Sequence, residues 1–344
     1  MIGNSPKKQT SFNFLTLFYF GRHFFSQFSL AFSVKFPQKP AALASLKLIA
    51  FGNSGRRIRR KIYFFGFYLS NSRPIHKIQN SGYHKKMTTV QFNIFSDFRN
   101  DFRTYCKKLS EEFSSILIPL QKNAVQKDTP DYPLENPVVY NTALDEITEQ
   151  SQIRLIVIGD NPGKDEQLSK NQKYLVGQSG KIAASFFQKN PEFNTDFRKN
   201  AIILNKTPVH TAKTKHIKFL LSNGDEKIQK LILESQIYMA QKTAELHISL
   251  CRAAQTEAEK PEIFLVGYSE LKKNGIFTEY KNELKKTYSS APEEWKKVFV
   301  FQHFSMNRFS IDLKNFMLAQ NNQDIVQAAH ALGTIHKNEI WTLP

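Results

Sequence analysis

The sequence predicts a three-layer α/β/α domain on a central, mostly parallel four-stranded sheet, and three features carry that prediction. Four short runs, Arg154–Ile158, Ala201–Leu204, Glu262–Val266 and Val298–Phe301, are continuously apolar and rich in β-branched or aromatic residues, as suits strands buried on both faces. Each run is followed at once by a polar turn. The segments between them, such as Lys227–Arg252, have the length and period of crossover helices.

The chain opens with a different text. Residues 1–86 hold 15 Lys and Arg, no Asp or Glu, and 13 of the 30 Phe, with no sustained helical or strand period. The apolar stretch Phe12–Phe36 is broken by Arg22, His23, Ser26, Gln27 and Ser29, which makes it a poor transmembrane span. A mis-assigned start with translation beginning at Met87, an organelle-targeting segment and a genuine basic arm all fit this composition. From Met87 a helical lead-in begins. Phe92, Phe95, Phe98, Phe102 and Tyr105 recur at three- and four-residue steps, continued by Leu109, Phe113 and Ile116. A Pro-containing loop is expected from Pro119 to Pro137, and then the α/β alternation. Residues 87–344 read as one domain.

The formal charge of +18 belongs mostly to the opening segment. Residues 87–344 carry 33 basic against 30 acidic side chains, a net of only +3, so whole-chain charge is a poor warrant for nucleic-acid binding. Cys106 and Cys251 are too few for a four-thiolate metal site or a disulfide framework. Gly177-Gln178-Ser179-Gly180-Lys181 has two residues between its glycines where a phosphate-binding loop has four, and Ile182 follows the lysine in place of Ser or Thr. Asp160, Asp165 and Glu166 sit on one turn with no distant ligand to complete a metal site. The basic run Lys206, His210, Lys213, Lys215, His216 and Lys218 reads either as a solvated face or as a set of phosphate contacts.

Ligands of open parallel sheets bind beyond the carboxyl ends of the strands. The first run ends in Gly159-Asp160-Asn161-Pro162-Gly163, the second in Asn205-Lys206-Thr207-Pro208, and the fourth in Gln302-His303-Phe304-Ser305-Met306-Asn307-Arg308. Two asparagines and a histidine thus reach one rim from three strands. The order and spacing of these segments, with Tyr174-Leu175-Val176-Gly177 between the first two, resemble the motifs of the uracil-DNA glycosylase superfamily across Gly159–Arg308. Asn161 matches the branches selective for single strands or mismatches, and Phe304 replaces a proline in the histidine motif.

The resemblance implies a monofunctional glycosylase that hydrolyses the N-glycosidic bond of uracil or a related deaminated or oxidised base in DNA. Asn161 would position the water and His303 would stabilise charge leaving on the base. Gly159, Asp160, Pro162, Gly163 and Asn205 would bind the base, and Tyr174 would stack on it. Gly163 stands where a tyrosine blocks 5-methyl groups in the best-known uracil enzymes, which opens the site to 5-substituted uracils. Ser305, Met306, Asn307 and Arg308 would contact the DNA, with Met306, Arg308 and Phe309 as wedge residues. No metal, organic cofactor or membrane is expected. The expected form is a monomer, cytoplasmic in a bacterium or nuclear, with organelle import if residues 1–86 are a targeting segment. Two other readings stay open: a superfamily member that binds nucleic acid without efficient hydrolysis, and a nucleoside or nucleotide hydrolase on a similar frame.

Overall fold

The structure is a computed structural model that describes residues 86–341, together with a two-rung antiparallel ladder of Ala50–Phe51 with Arg57–Ile58. The chain divides into two units, Met1–Gln79 and Asn80–Pro344. The readings of residues 1–86 fall outside the described residues but for that ladder. No described helix is long and apolar enough to cross a membrane.

The second unit opens with α1 (Thr89–Val125), started by a capping box in which the Thr88 side chain accepts from the Gln91 N–H while the Gln91 side chain accepts from the Thr88 N–H. Phe95, Phe98, Phe102 and Leu109 bury the predicted stripe, whereas Ile116 at its end is exposed. The expected break at Pro119 does not occur, and the helix runs through it to Val125. Leu117 before the proline and Gln121 and Val125 after it are buried, and the Gln121 amide donates to the carbonyls of Pro137 and His210 at 3.0 and 2.7 Å. Tertiary packing there outweighs the cost of one proline in the helix.

Four strands follow: β1 (Leu155–Gly159), β2 (Ala201–Asn205), β3 (Glu262–Val266) and β4 (Val298–Phe301). All are parallel, in the order β2-β1-β3-β4, and almost wholly buried, as their continuous apolar runs require. They match the predicted runs to within one residue at each end. The chain joins them through α2 (Gln178–Lys189), α3 (His216–Asn223), α4 (Glu226–Arg252), α5 (Thr278–Thr287) and the single turn α6 (Pro292–Trp295). Helices α7 (Arg308–Ala319) and α8 (Ile325–Trp341) complete the fold. Helix α4 packs against α1, α3 and α5, while α8 packs against β4 and α7, which gives the expected α/β/α layering. Under α2 and α7 lies an aromatic cluster. Phe186 and Phe309 meet edge-on at 4.9 Å, and Phe264, Phe301 and Phe304 pack around Phe309.

Chain order reverses between β1 and β3. The connection from β1 leads to β2 on one side, and β3 returns to the other, so a crevice opens where the two loops part.

Candidate active site

A cavity of about 460 Å³ occupies that crevice. All four strand ends reach it: Asp160 and Asn161 from β1, Asn205 from β2, Gly267 and Ser269 after β3, and Gln302, His303, Ser305, Met306 and Arg308 after β4. The predicted convergence of two asparagines and a histidine is therefore what the fold produces. Gly163 also lines it. Gly159, Pro162, Tyr174 and Asn307 do not.

The hydrogen bonds orient each group. The Asn161 amide nitrogen lies 2.9 Å from Thr211 Oγ1, 3.1 Å from the Pro162 carbonyl and 3.3 Å from the Thr211 carbonyl. Two carbonyls can only accept, so the NH₂ is committed to them and Oδ1 is left to act as an acceptor. His210 supports this turn from below. Its Nδ1 lies 2.8 Å from the Pro162 carbonyl and its Nε2 3.0 Å from the Tyr132 hydroxyl. Burial pushes His210 down to about 4, so a neutral ring donates through Nδ1–H and accepts from Tyr132.

His303 is fixed by Ser305, whose backbone N–H donates to Nδ1 at 3.1 Å and whose Oγ lies 2.9 Å from the same atom. Burial lowers the His303 pKa, with Asp160 opposing. A neutral ring that accepts at Nδ1 carries its proton on Nε2. Asn205 is almost fully buried, and its Nδ2 has no hydrogen-bond partner. Its Oδ1 rests on Gly159, where an added Cβ would sit only 2.3 Å away. An unpaired buried amide at the wall of a polar cavity is costly unless a ligand completes it.

Asp160 is not a free base. Its Oδ1 accepts from Lys206 Nζ at 2.6 Å, and that ammonium also donates to the carbonyls of Val266 (2.6 Å) and Gly159 (3.2 Å). Lys206 is wholly buried, with its pKa lowered by desolvation against the pull of Asp160. Gly267 lets the carboxylate approach. It has φ +92°, and a Cβ there would meet Asp160 Oδ1 at 2.2 Å.

Scans against known protein families, curated proteins and solved structures find no match to this chain.

Several expectations need correction. Tyr174 is buried, its hydroxyl donates to the Val139 carbonyl at 2.5 Å, and its N–H donates to Asn141 Oδ1 at 3.1 Å, so it is a core residue and not a stacking surface. The next residue, Leu175, lines the cavity in its place. It adopts φ +52°, with its carbonyl receiving Arg198 at 2.5 Å and packed so closely on Gly180 that no Cβ fits there. Phe309 is buried in the aromatic cluster and cannot be a wedge, whereas Met306 is 66% exposed at the cavity mouth. The basic run is mostly spent. Lys206 and His210 are buried, while Lys213, Lys215 and His216 surround Asp128 at 2.8–3.2 Å.

Glu166 went unassigned in the sequence. It lines the cavity, is 8% exposed, and its Oε2 has no partner. Burial pushes it up to about 7, against the N–H groups of Gly163 and Leu175. Only its nearness to the Gly-Asp-Asn-Pro-Gly turn hinted at it. A Cβ at Gly163 would touch nothing nearer than Glu166 Oε1 at 3.8 Å, so that wall of the cavity is open.

Proposed function

We propose that the domain of residues 87–344 is a DNA glycosylase that hydrolyses the N-glycosidic bond of a flipped-out uracil or related deaminated or oxidised base. The observation that carries this reading is the trio of committed polar groups in one crevice: the Asn161 Oδ1 acceptor, the unpartnered Asn205 Nδ2 and the His303 Nε2–H.

A pyrimidine edge offers the acceptor that Asn205 Nδ2 lacks. As the glycosidic bond breaks, its electron pair moves onto the base, and a base carbonyl oxygen gains charge that Nε2–H of a neutral His303 meets by hydrogen bonding. Asn161 Oδ1 accepts from a water and aims its oxygen at C1′. An amide cannot take the water's proton, so the proton leaves to solvent after the oxygen has joined the sugar cation, when the adduct has become strongly acidic. The departing base anion takes a proton from solvent, so the reaction as a whole consumes one water and yields free base and an abasic sugar. Access to this crevice requires the nucleotide to leave the stack, and the exposed Met306 would fill the gap.

One observation favours the second reading, a binder with little hydrolysis. Asp160, the carboxylate of the turn itself, is held by buried Lys206, and its neighbour Asn161 is an amide that cannot act as a base.

The test uses the full chain with end-labelled oligonucleotides carrying uracil, hypoxanthine or 5-hydroxymethyluracil, single-stranded and paired, followed by alkali. Base release that is lost in both Asn161→Ala and His303→Ala supports the hydrolase. Binding without release on every substrate supports the second reading and refutes the first.

A further inference from the structure

A second groove, of about 630 Å³, runs between α2 and α7. Its floor is apolar, made by Ile182, Phe186, Leu313, Met317 and Ile325. Its rim carries Lys181, Lys189 and Lys314, and no carboxylate lines it. None of the three lysines pairs with an acid among the described residues, in contrast to Lys213 and Lys215. With a net charge of only +3 in residues 87–344, three unpaired lysines along one groove form a local positive field that the domain as a whole lacks.

The groove adjoins the crevice at two points along the chain. Gln178 lines the groove and its neighbour Ser179 lines the crevice; Asn307 lines the groove between Met306 and Arg308, which line the crevice. Met306 and Asn307 both hold left-handed backbone, φ +54° and +56°, so the chain turns sharply at the junction.

We infer that this groove holds the DNA strand flanking the extruded nucleotide, with phosphates on Lys181, Lys189 and Lys314 and sugars or bases against Ile182 and Met317. The inference rests on the glycosylase reading for the direction from which the strand arrives. Basic rims over apolar floors suit single strands, which offer alternating charge and flat bases.

The test compares the full-length chain with its Lys181→Gln/Lys189→Gln/Lys314→Gln variant. Binding of a fluorescein-labelled 20-nucleotide single strand is followed by anisotropy from 50 to 300 mM salt. Base release is measured in single turnover on that strand with one uracil, at protein concentrations below and well above the dissociation constant. Each phosphate contact to a single strand contributes about 0.7 to the slope of log K against log salt, so three lost contacts make it shallower by about 2. The expected result is that slope change, an affinity at least about tenfold weaker at 0.1 M salt, and an unchanged release rate at saturating protein.

Equal slopes for the two proteins would overturn the inference even if uracil is released. A slope change in a protein that releases no base would sustain the groove while refuting the glycosylase. Displacement of the strand by poly-glutamate at the same charge concentration as effectively as by unlabelled DNA would reassign the groove to an acidic protein partner and overturn it.

Discussion

Glu166→Gln probes the electrostatics of the crevice through folding alone, independent of any activity. The carboxyl is 8% exposed with Oε2 unpaired, and burial raises it from 4.5 to about 7. Between those values the unfolded chain carries an ionised Glu166 while the fold keeps its proton. The native state then binds more protons, so stability falls as the pH rises through this window. The contribution is whole below about pH 4.5 and lost as the pH passes about 7, and the gap between the two values converts to about 3 kcal/mol. Glutamine keeps the shape but never ionises, so the variant lacks this loss.

Urea unfolding of the full chain, followed by the fluorescence of Trp295 and Trp341, would be measured from pH 4.5 to 8 for both proteins. The stability of the wild type minus that of the variant should fall by about 3 kcal/mol across the range. His210 and His247, both pushed down to about 4 by burial, add an acid-side slope, but both proteins share it and it cancels in the difference. Parallel curves would refute the premise that Glu166 is protonated inside the crevice at mildly acid pH. If the protonated acid also donates to the base, release should decline above pH 7 in the wild type and stay flat in Glu166→Gln.

Three further outcomes follow from the same geometry. Gly159→Ala puts a Cβ 2.3 Å from Asn205 Oδ1 and displaces the amide; losing its base contact, about 1–2 kcal/mol, should lower kcat/KM by about 5- to 30-fold in single-turnover base release. Lys206→Met strands the Asp160 carboxylate and should cost about 3–5 kcal/mol in urea unfolding, most of it recovered in Asp160→Asn/Lys206→Met. Tyr174→Phe removes the donor to the Val139 carbonyl and should destabilise by about 1–2 kcal/mol while leaving KM unchanged.

The sheet was legible because each strand is a continuous apolar run ended by a polar turn, a pattern with few other solutions at that length. Asn161, Asn205 and His303 were legible for the same reason, since parallel strands deliver their ends to one rim. What escaped the sequence depends on contacts distant along the chain. Asp128, more than eighty residues away, pairs with Lys213 and Lys215 and offsets one of their two charges, so the basic run overstated the free charge. The choice between Tyr174 and Leu175 turns on a left-handed backbone at Leu175, which no local propensity favours for leucine. It is held by Arg198 and by close packing on Gly180. Pro119 misled because a breaker acts locally, while Gln121 is anchored by carbonyls outside the helix and Val125 is buried.

The arrangement of charge in the crevice constrains any chemistry done there. Asp160 is cancelled by Lys206, His303 is neutral, Glu166 keeps its proton at mildly acid pH, and Asn161 is an amide. The turn after β1 itself offers no free carboxylate to create a nucleophile, since Asp160 is paired and Asn161 is an amide; Glu270, which also lines the cavity, comes from the turn after β3. A reaction whose charge separates within the substrate itself, a cation on the sugar and an anion on the departing base, needs only dipoles fixed beforehand at both ends. Asn161 Oδ1 presents the negative end of a dipole and His303 Nε2–H the positive end of another, each locked by partners that leave it no alternative orientation. For the proposed glycosylase, bond breaking ahead of water attack is the order of events these dipoles suit. Adding a carboxylate at position 161 should then accelerate release by stabilising the sugar cation, and an Asn161→Asp variant slower than wild type would contradict that order.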